Sequence, residues 1–189
     1  MRVTIVYKPR FEDGYEWVMP VGSTDPIRRL RSRQPGDPWT PLWVYPLNPA
    51  EDGQAPLKAD MPWYGSSVLV LKQRAREALG KVLADEAEML PLYCDEGEDL
   101  WLVNAWRVVD ALDEELSQVE RFSSGRVMTV HRYAFREEAV AGLRCFRIPQ
   151  QPVMFVTDEV AEATRAAGLR GTTFRPVWSS GASAGTAYR

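Results

Sequence analysis

Proline placement constrains this chain more than any other feature of its sequence. Ten of the fourteen prolines fall within residues 1–65, at positions 9, 20, 26, 35, 38, 41, 46, 49, 56 and 62. Proline lacks a backbone donor and has a fixed φ, so this density excludes long helices and disfavours central strands. Four of the seven tryptophans (Trp17, Trp39, Trp43 and Trp63) lie in the same stretch. Such an aromatic segment does not suit a solvated linker, and it is expected to wrap onto the core encoded behind it. Within it the pattern predicts a strand at residues 3–7 and a brief extended piece at 39–45.

From Ser67 onward the pattern changes. The run Val68-Leu69-Val70-Leu71 predicts a buried strand. Ala75, Ala78, Leu79, Val82 and Leu83 follow at the spacing of one helical face. Residues 89–93 then predict a second strand, which Pro91 places at an edge or a strand start. A similar unit recurs near the C-terminus. Residues 153–156 form the strand, Thr157 and the acidic Asp158 and Glu159 open a helix, and Gly168 stops it. The closing strand is 173–178. A constant shift of 85 places Val68 on Val153, Glu77 on Glu162, Ala78 on Ala163 and Pro91 on Pro176; four identities are thin support for a duplication, and the expectation rests on the shared strand–helix–strand organisation. Between the units, strands are expected at 101–109, 126–135 and 143–148. Residues 179–189 read as a flexible tail.

The expected architecture is a single α+β domain over residues 1–178. It has a mixed, mainly antiparallel sheet and two principal helices, 73–83 and 158–167, in two strand–helix–strand units. Residues 1–65 wrap against the 67–178 core. At 189 residues, with 45% apolar and 26% charged side chains, a core forms without disulfides or metals.

The same arithmetic removes several chemistries. A net charge of −3 disfavours a phosphate-tracking nucleic-acid binder. No apolar run is long enough for a membrane helix, and the N-terminus meets Pro9 too early for an export signal. Cys94 and Cys145 stand far apart, so two buried, reduced thiols in a cytoplasmic protein are expected. With a single histidine, His131, there is no zinc site built on His pairs, and no Walker loop, dinucleotide fingerprint or CxxC pair occurs. No cofactor is expected. His131 lies in an alternating segment without a Gly-x-Ser-x-Gly elbow, so it reads as a sheet histidine with a local hydrogen bond. Trp101 and Trp106 differ in parity along their strand and should face opposite ways, which argues against a shared stacking platform.

Two acidic groups are the candidate site residues. One is Asp95, Glu96, Glu98 and Asp99; the other is Asp110, Asp113, Glu114 and Glu115. Paired carboxylates can act as acid and base of a hydrolase or bind a hard cation, although neither run has calcium-loop spacing. They can equally solvate turns, with Asp113 capping a turn through Leu116. A third role is a negative face that docks onto a basic protein. On a nine-residue strand at 101–109 the two groups would stand about 30 Å apart.

The segment Leu102-Val103-Asn104-Ala105-Trp106-Arg107-Val108-Val109-Asp110-Ala111-Leu112-Asp113, with Ser117, carries a resemblance. So do Phe146-Arg147-Ile148-Pro149, Val156-Thr157-Asp158, Ala167-Gly168-Leu169-Arg170-Gly171, Phe174 and Pro176-Val177. Together they resemble a bacterial polymorphic-toxin immunity protein family, immunity family eleven, typified by a myxobacterial protein and formerly a domain of unknown function. The resemblance covers residues 67–178 and does not extend to the first 65 residues. It implies a cytoplasmic, non-enzymatic protein that binds and neutralises a cognate toxin by direct contact. It carries no catalytic residues, and Asp110 and Asp113 match its motif. A nuclease is one toxin whose basic channel such carboxylates would fit. The competing readings are a carboxylate-dependent hydrolase and a small-ligand-binding regulatory module.

Overall fold

A computed structural model of the chain describes residues 3–22, 29–30, 33–47, 55–65 and 68–181. The strands are β1 (Ile5–Phe11), β2 (Trp17–Pro20), β3 (Leu42–Leu47), β4 (Leu69–Leu71), β5 (Ala87–Cys94), β6 (Leu100–Ala105), β7 (Gln118–Arg121), β8 (Val127–Arg132), β9 (Cys145–Ile148), β10 (Gln151–Thr157) and β11 (Thr172–Ser179). The helices are α1 (Gln73–Leu83), α2 (Glu137–Val140) and α3 (Asp158–Ala166). The α+β class and the mainly antiparallel pairing are as expected, and the strands are shared between two sheets and a ribbon. Their orders are β2-β3-β5-β6-β4, β11-β1-β10-β9 and β7-β8. Among the named strands the parallel contact is β3 against β5.

The two strand–helix–strand units build the same motif. In the first, β4 and β5 flank β6, antiparallel to it on either side. In the second, β10 and β11 flank β1 in the same way. The shift of 85 holds at the level of register. Trp101 faces Leu71 and Pro91, while Tyr7 faces Val156 and Pro176. Residues 87–91 against 105–101 recur as 172–176 against 11–7. The central strand comes from a different place each time: β6 follows its unit, whereas β1 is the start of the chain.

Each apolar run is buried on both faces, as near-continuous strands require. Leu69, Leu71, Met154 and Val156 face α1 and α3 in one shared core with Ala75, Leu79, Leu83 and Val160. Their neighbours Val68 and Val70 face a second core with Val18, Leu42, Val44, Leu90 and Leu92. Val153 and Phe155 face a third, with Phe135, Phe146, Val127 and Val130 from β8 and its surroundings. The apolar stripe of α1 is therefore confirmed, and α3 buries Val160, Ala161 and Thr164.

Several expectations are corrected. The proline-rich segment contributes full strands: β1 is central to its sheet, and β2 and β3 occupy one side of the other. β5 is an interior strand with β6 on one side and β3 on the other, but Pro91 itself pairs only with Trp101 of β6, because β3 pairs only from Leu92 onward. Trp39 Nε1 donates to the Pro91 carbonyl at 2.8 Å, on the side where the proline has no N–H to offer. The strand at 101–109 stops at Ala105. Trp106 lies outside it, so the parity argument does not apply to the pair, and Val108 instead bridges Arg147. Thr157 holds the N-cap position of α3, but its hydroxyl donates to Leu143 O at 2.6 Å. The Asp158 carboxylate accepts from Ile5 N at 3.1 Å, tying that helix start to β1. Cys145 is buried but Cys94 only half-buried. Burial and the Glu86 charge push the Cys145 thiol up to about 12. Of the expected tail, residues 182–189 lie outside the described residues, and Ser179 closes β11. Among the described residues no helix is long and apolar enough to cross a membrane.

Candidate functional site

The first acidic group forms the turn between β5 and β6. Gly97 takes a positive φ of 73°, and its N–H donates to Cys94 O at 3.0 Å. The four carboxylates divide. Glu98 pairs with Lys72 at 2.7 Å and with Lys58 at 3.6 Å, and Glu96 reaches Lys58 at 3.4 Å. Both lysines also hold Glu16, which is buried: Lys58 at 3.1 Å and Lys72 in a shorter contact. Burial pushes the Glu16 carboxyl up, and the Lys72 hydrogen bond, the Ala59 N–H and Lys58 together pull it below its ordinary value. Glu16 in turn raises Lys58. Glu96 and Glu98 are thus the outer members of a network that locks residues 57–59 to the sheet. Asp95 and Asp99 are exposed and make no ion pair among the described residues.

The second group lies where the chain leaves β6 and crosses to the other sheet. Asp113 Oδ1 accepts from Glu115 N at 3.1 Å and Leu116 N at 3.0 Å, the capping role read from the sequence. Asp110 pairs with Arg136 at 3.2 Å. Glu114 binds Arg121 and accepts from Gln150 Nε2 at 3.0 Å. The Arg121 and Gln150 hydrogen bonds hold its carboxyl below the usual range. An ionised carboxylate is the opposite of the raised-pKa acid that a glycosidase needs. Glu115 is exposed. A cavity of about 440 Å³ opens among Asp110, Asp113, Glu114, Glu115 and Arg136, and all its carboxylates come from one turn. Glu114 also edges an open cleft of about 560 Å³ between the β7–β8 ribbon and the β9–β10 turn, where Lys8, Arg121 and Arg126 add positive charge.

Six residues of β6 separate the two acidic groups, or about 20 Å along the strand. The shorter strand still leaves them at opposite ends, and they do not converge on a shared cleft. His131 pairs with Glu120 across the ribbon at 3.2 Å, the local contact expected of it. Among the described residues no group of three or more His, Cys, Asp or Glu side chains is placed to hold a metal ion.

The tryptophans of the proline-rich segment differ in exposure. Trp17 and Trp63 pack around Phe11 at centroid distances of 5.7 and 6.0 Å. Trp39 lies under Arg29 and Arg33. Trp43 is 52% exposed and meets Tyr93, itself 50% exposed, with ring centroids 5.1 Å apart and the planes tilted by 40°. The pairing of β3 with β5 that creates this aromatic contact has no signature in either strand alone.

Among curated proteins none matches the sequence. The sequence model of the immunity protein family Imm11 matches residues 28–179, reaching well into the proline-rich segment that the resemblance had left out. The chain therefore belongs to the Imm11 immunity protein family.

Proposed function

We propose that this protein neutralises a cognate bacterial toxin by binding it directly, without catalysis, in the cytoplasm of the cell that makes the toxin. The observation that carries this reading is the family match across residues 28–179. The arrangement of charge is consistent with it. The carboxylates with catalytic potential are engaged in ion pairs and turn caps: Glu114 with Arg121, Asp110 with Arg136, Asp113 on backbone N–H groups. A binding protein needs only an exposed surface that complements its partner, whereas a hydrolase needs carboxylates from different elements in one cleft.

The acidic residues enter this proposal unequally. Asp95 and Asp99, exposed and without an ion pair among the described residues, would meet basic groups of a toxin, while Glu96 and Glu98 chiefly hold Lys58 and Lys72. A basic nuclease channel is a partner surface that such charges would suit. Co-expression with the toxin encoded by the adjacent gene tests the function. Growth restored by this protein, together with a stable complex on purification, is the expected outcome. Failure to rescue, with a turnover lost in Asp110→Asn, would establish the hydrolase instead.

A further inference from the structure

Alternation along β3 and β5 sorts their side chains onto two faces. Leu42, Val44, Leu90 and Leu92 lie in one buried core. Trp43, Tyr45, Pro91 and Tyr93 point to the opposite face and are exposed. That opposite face is the one α1 covers farther along the sheet, where Leu69, Leu71, Val103 and Ala105 pack beneath Ala75, Leu79 and Leu83. Arg76 of α1 stacks over Trp101 at 4.4 Å and marks the border of the covered half. Beyond it Trp43, Tyr45, Pro91 and Tyr93 are exposed, and no helix among the described residues covers them. Met19 stands opposite Tyr45 on β2 and extends the apolar strip to the sheet edge.

A contiguous exposed apolar strip of this kind marks a contact surface on a folded protein. Its border supplies the sign of the partner. The turn that follows Tyr93 and precedes Trp101 carries Asp95 and Asp99, exposed and without an ion pair among the described residues. At the far end of β6 Asp110 pairs with Arg136, Glu114 with Arg121 and Gln150, and Asp113 caps its own turn, which leaves Glu115 as the exposed carboxylate there without an ion pair among the described residues. Aromatic anchors with a charged rim form the usual anatomy of a protein interface.

We infer that the exposed β3/β5 half of the five-stranded sheet is the toxin-docking surface, with Trp43 and Tyr93 as anchors and Asp95 and Asp99 as its acidic rim. It fits a toxin domain that presents an apolar protrusion flanked by Lys or Arg. This inference rests on the toxin-binding reading above, and the test separates the two.

The probe is the toxin domain encoded by the adjacent gene, inactivated by mutation and purified for binding measurements. Wild-type protein should bind it, and Trp43→Ser with Tyr93→Ser should bind at least about thirtyfold more weakly, the loss of roughly 2 kcal/mol at an aromatic hot spot. Both side chains are also half buried against each other, so that variant should lose some stability, and binding is compared at a temperature where circular dichroism shows it folded. Asp95→Lys with Asp99→Lys should slow association and flatten its salt dependence. If wild type binds and both double variants bind equally well, the docking surface is elsewhere and the inference falls. If wild type does not bind, the toxin-binding reading falls and takes the inference with it. A wild-type dimer in sedimentation that Trp43→Ser makes monomeric would assign the face to self-association and overturn the proposal.

Discussion

Gly171 shows how one residue can be fixed by its neighbours. Its φ is +103°, and a Cβ there would lie 2.4 Å from the Ala59 Cβ and 2.6 Å from the Met61 carbonyl oxygen. Arg170 O accepts from Asp60 N and Met61 N, so the 60–61 backbone is held against the start of β11 with no room to retreat. Gly171→Ala is expected to cost at least about 2 kcal/mol, from the positive φ and the overlap together, measured by urea unfolding. Glu16 gives a second test at this scale. Its folded carboxyl titrates below the ordinary value of 4.5, so its stabilising charge is fully present above about that pH. The contribution is lost as pH falls through the folded value. Glu16→Gln should lose about 2 kcal/mol at pH 7, because it breaks a largely buried pair. It should then show a shallower acid decline than wild type in unfolding curves between pH 6 and pH 3. Lys58→Ala should shift stability by no more than about 0.5 kcal/mol, since that side chain is 63% exposed and Lys72 remains. Neither effect is visible in the sequence, where Glu16 is one acidic residue among twenty-six.

Local pattern and tertiary context meet at the level of elements. α1 follows its sequence closely, because Ala75, Leu79 and Leu83 repeat at helical spacing and meet an apolar sheet face. Leu79 is fully buried, and Leu79→Ala should cost about 2–5 kcal/mol in denaturant unfolding, depending on how far α1 and α3 collapse toward the cavity. β5 is an interior strand, but Pro91 obeys its local signal: it pairs with Trp101 on one side, and its missing donor faces the side where β3 has not begun and Trp39 serves its carbonyl. β2 and β7 have four residues each, too short to read, whereas β3 was legible as an extended piece at 39–45 and runs on through Pro46 to Leu47. The candidate carboxylates were legible as clusters. Their partners Lys58, Lys72, Arg121 and Arg136 come from elsewhere in the chain, so which carboxylates remain unpaired was not legible.

At the scale of the molecule, the strands described within the first 65 residues, β1, β2 and β3, are structural members of both sheets. β1 separates β10 from β11, and β3 covers the open side of β5. Arg33 reaches Glu88 through two hydrogen bonds of 2.7 and 3.1 Å, which pins the same segment again. A chain beginning at residue 66 is therefore expected to lose cooperative thermal unfolding and near-ultraviolet dichroism. A remainder that unfolds as sharply as the whole would contradict this account. The sequence by itself determined the two strand–helix–strand units, their shared shift of 85, the apolar face of α1 and, with one histidine in the chain, that no site is built on a pair of histidines. These depend on periodicity and composition, which are local. Tertiary structure alone decided that β6 and β1, from unrelated positions in the chain, complete the two units in one register. It also decided which aromatics and carboxylates stay exposed. Strand pairing joins residues through backbone hydrogen bonds common to nearly every amino acid, so partners distant in sequence are selected by the packing of the whole core.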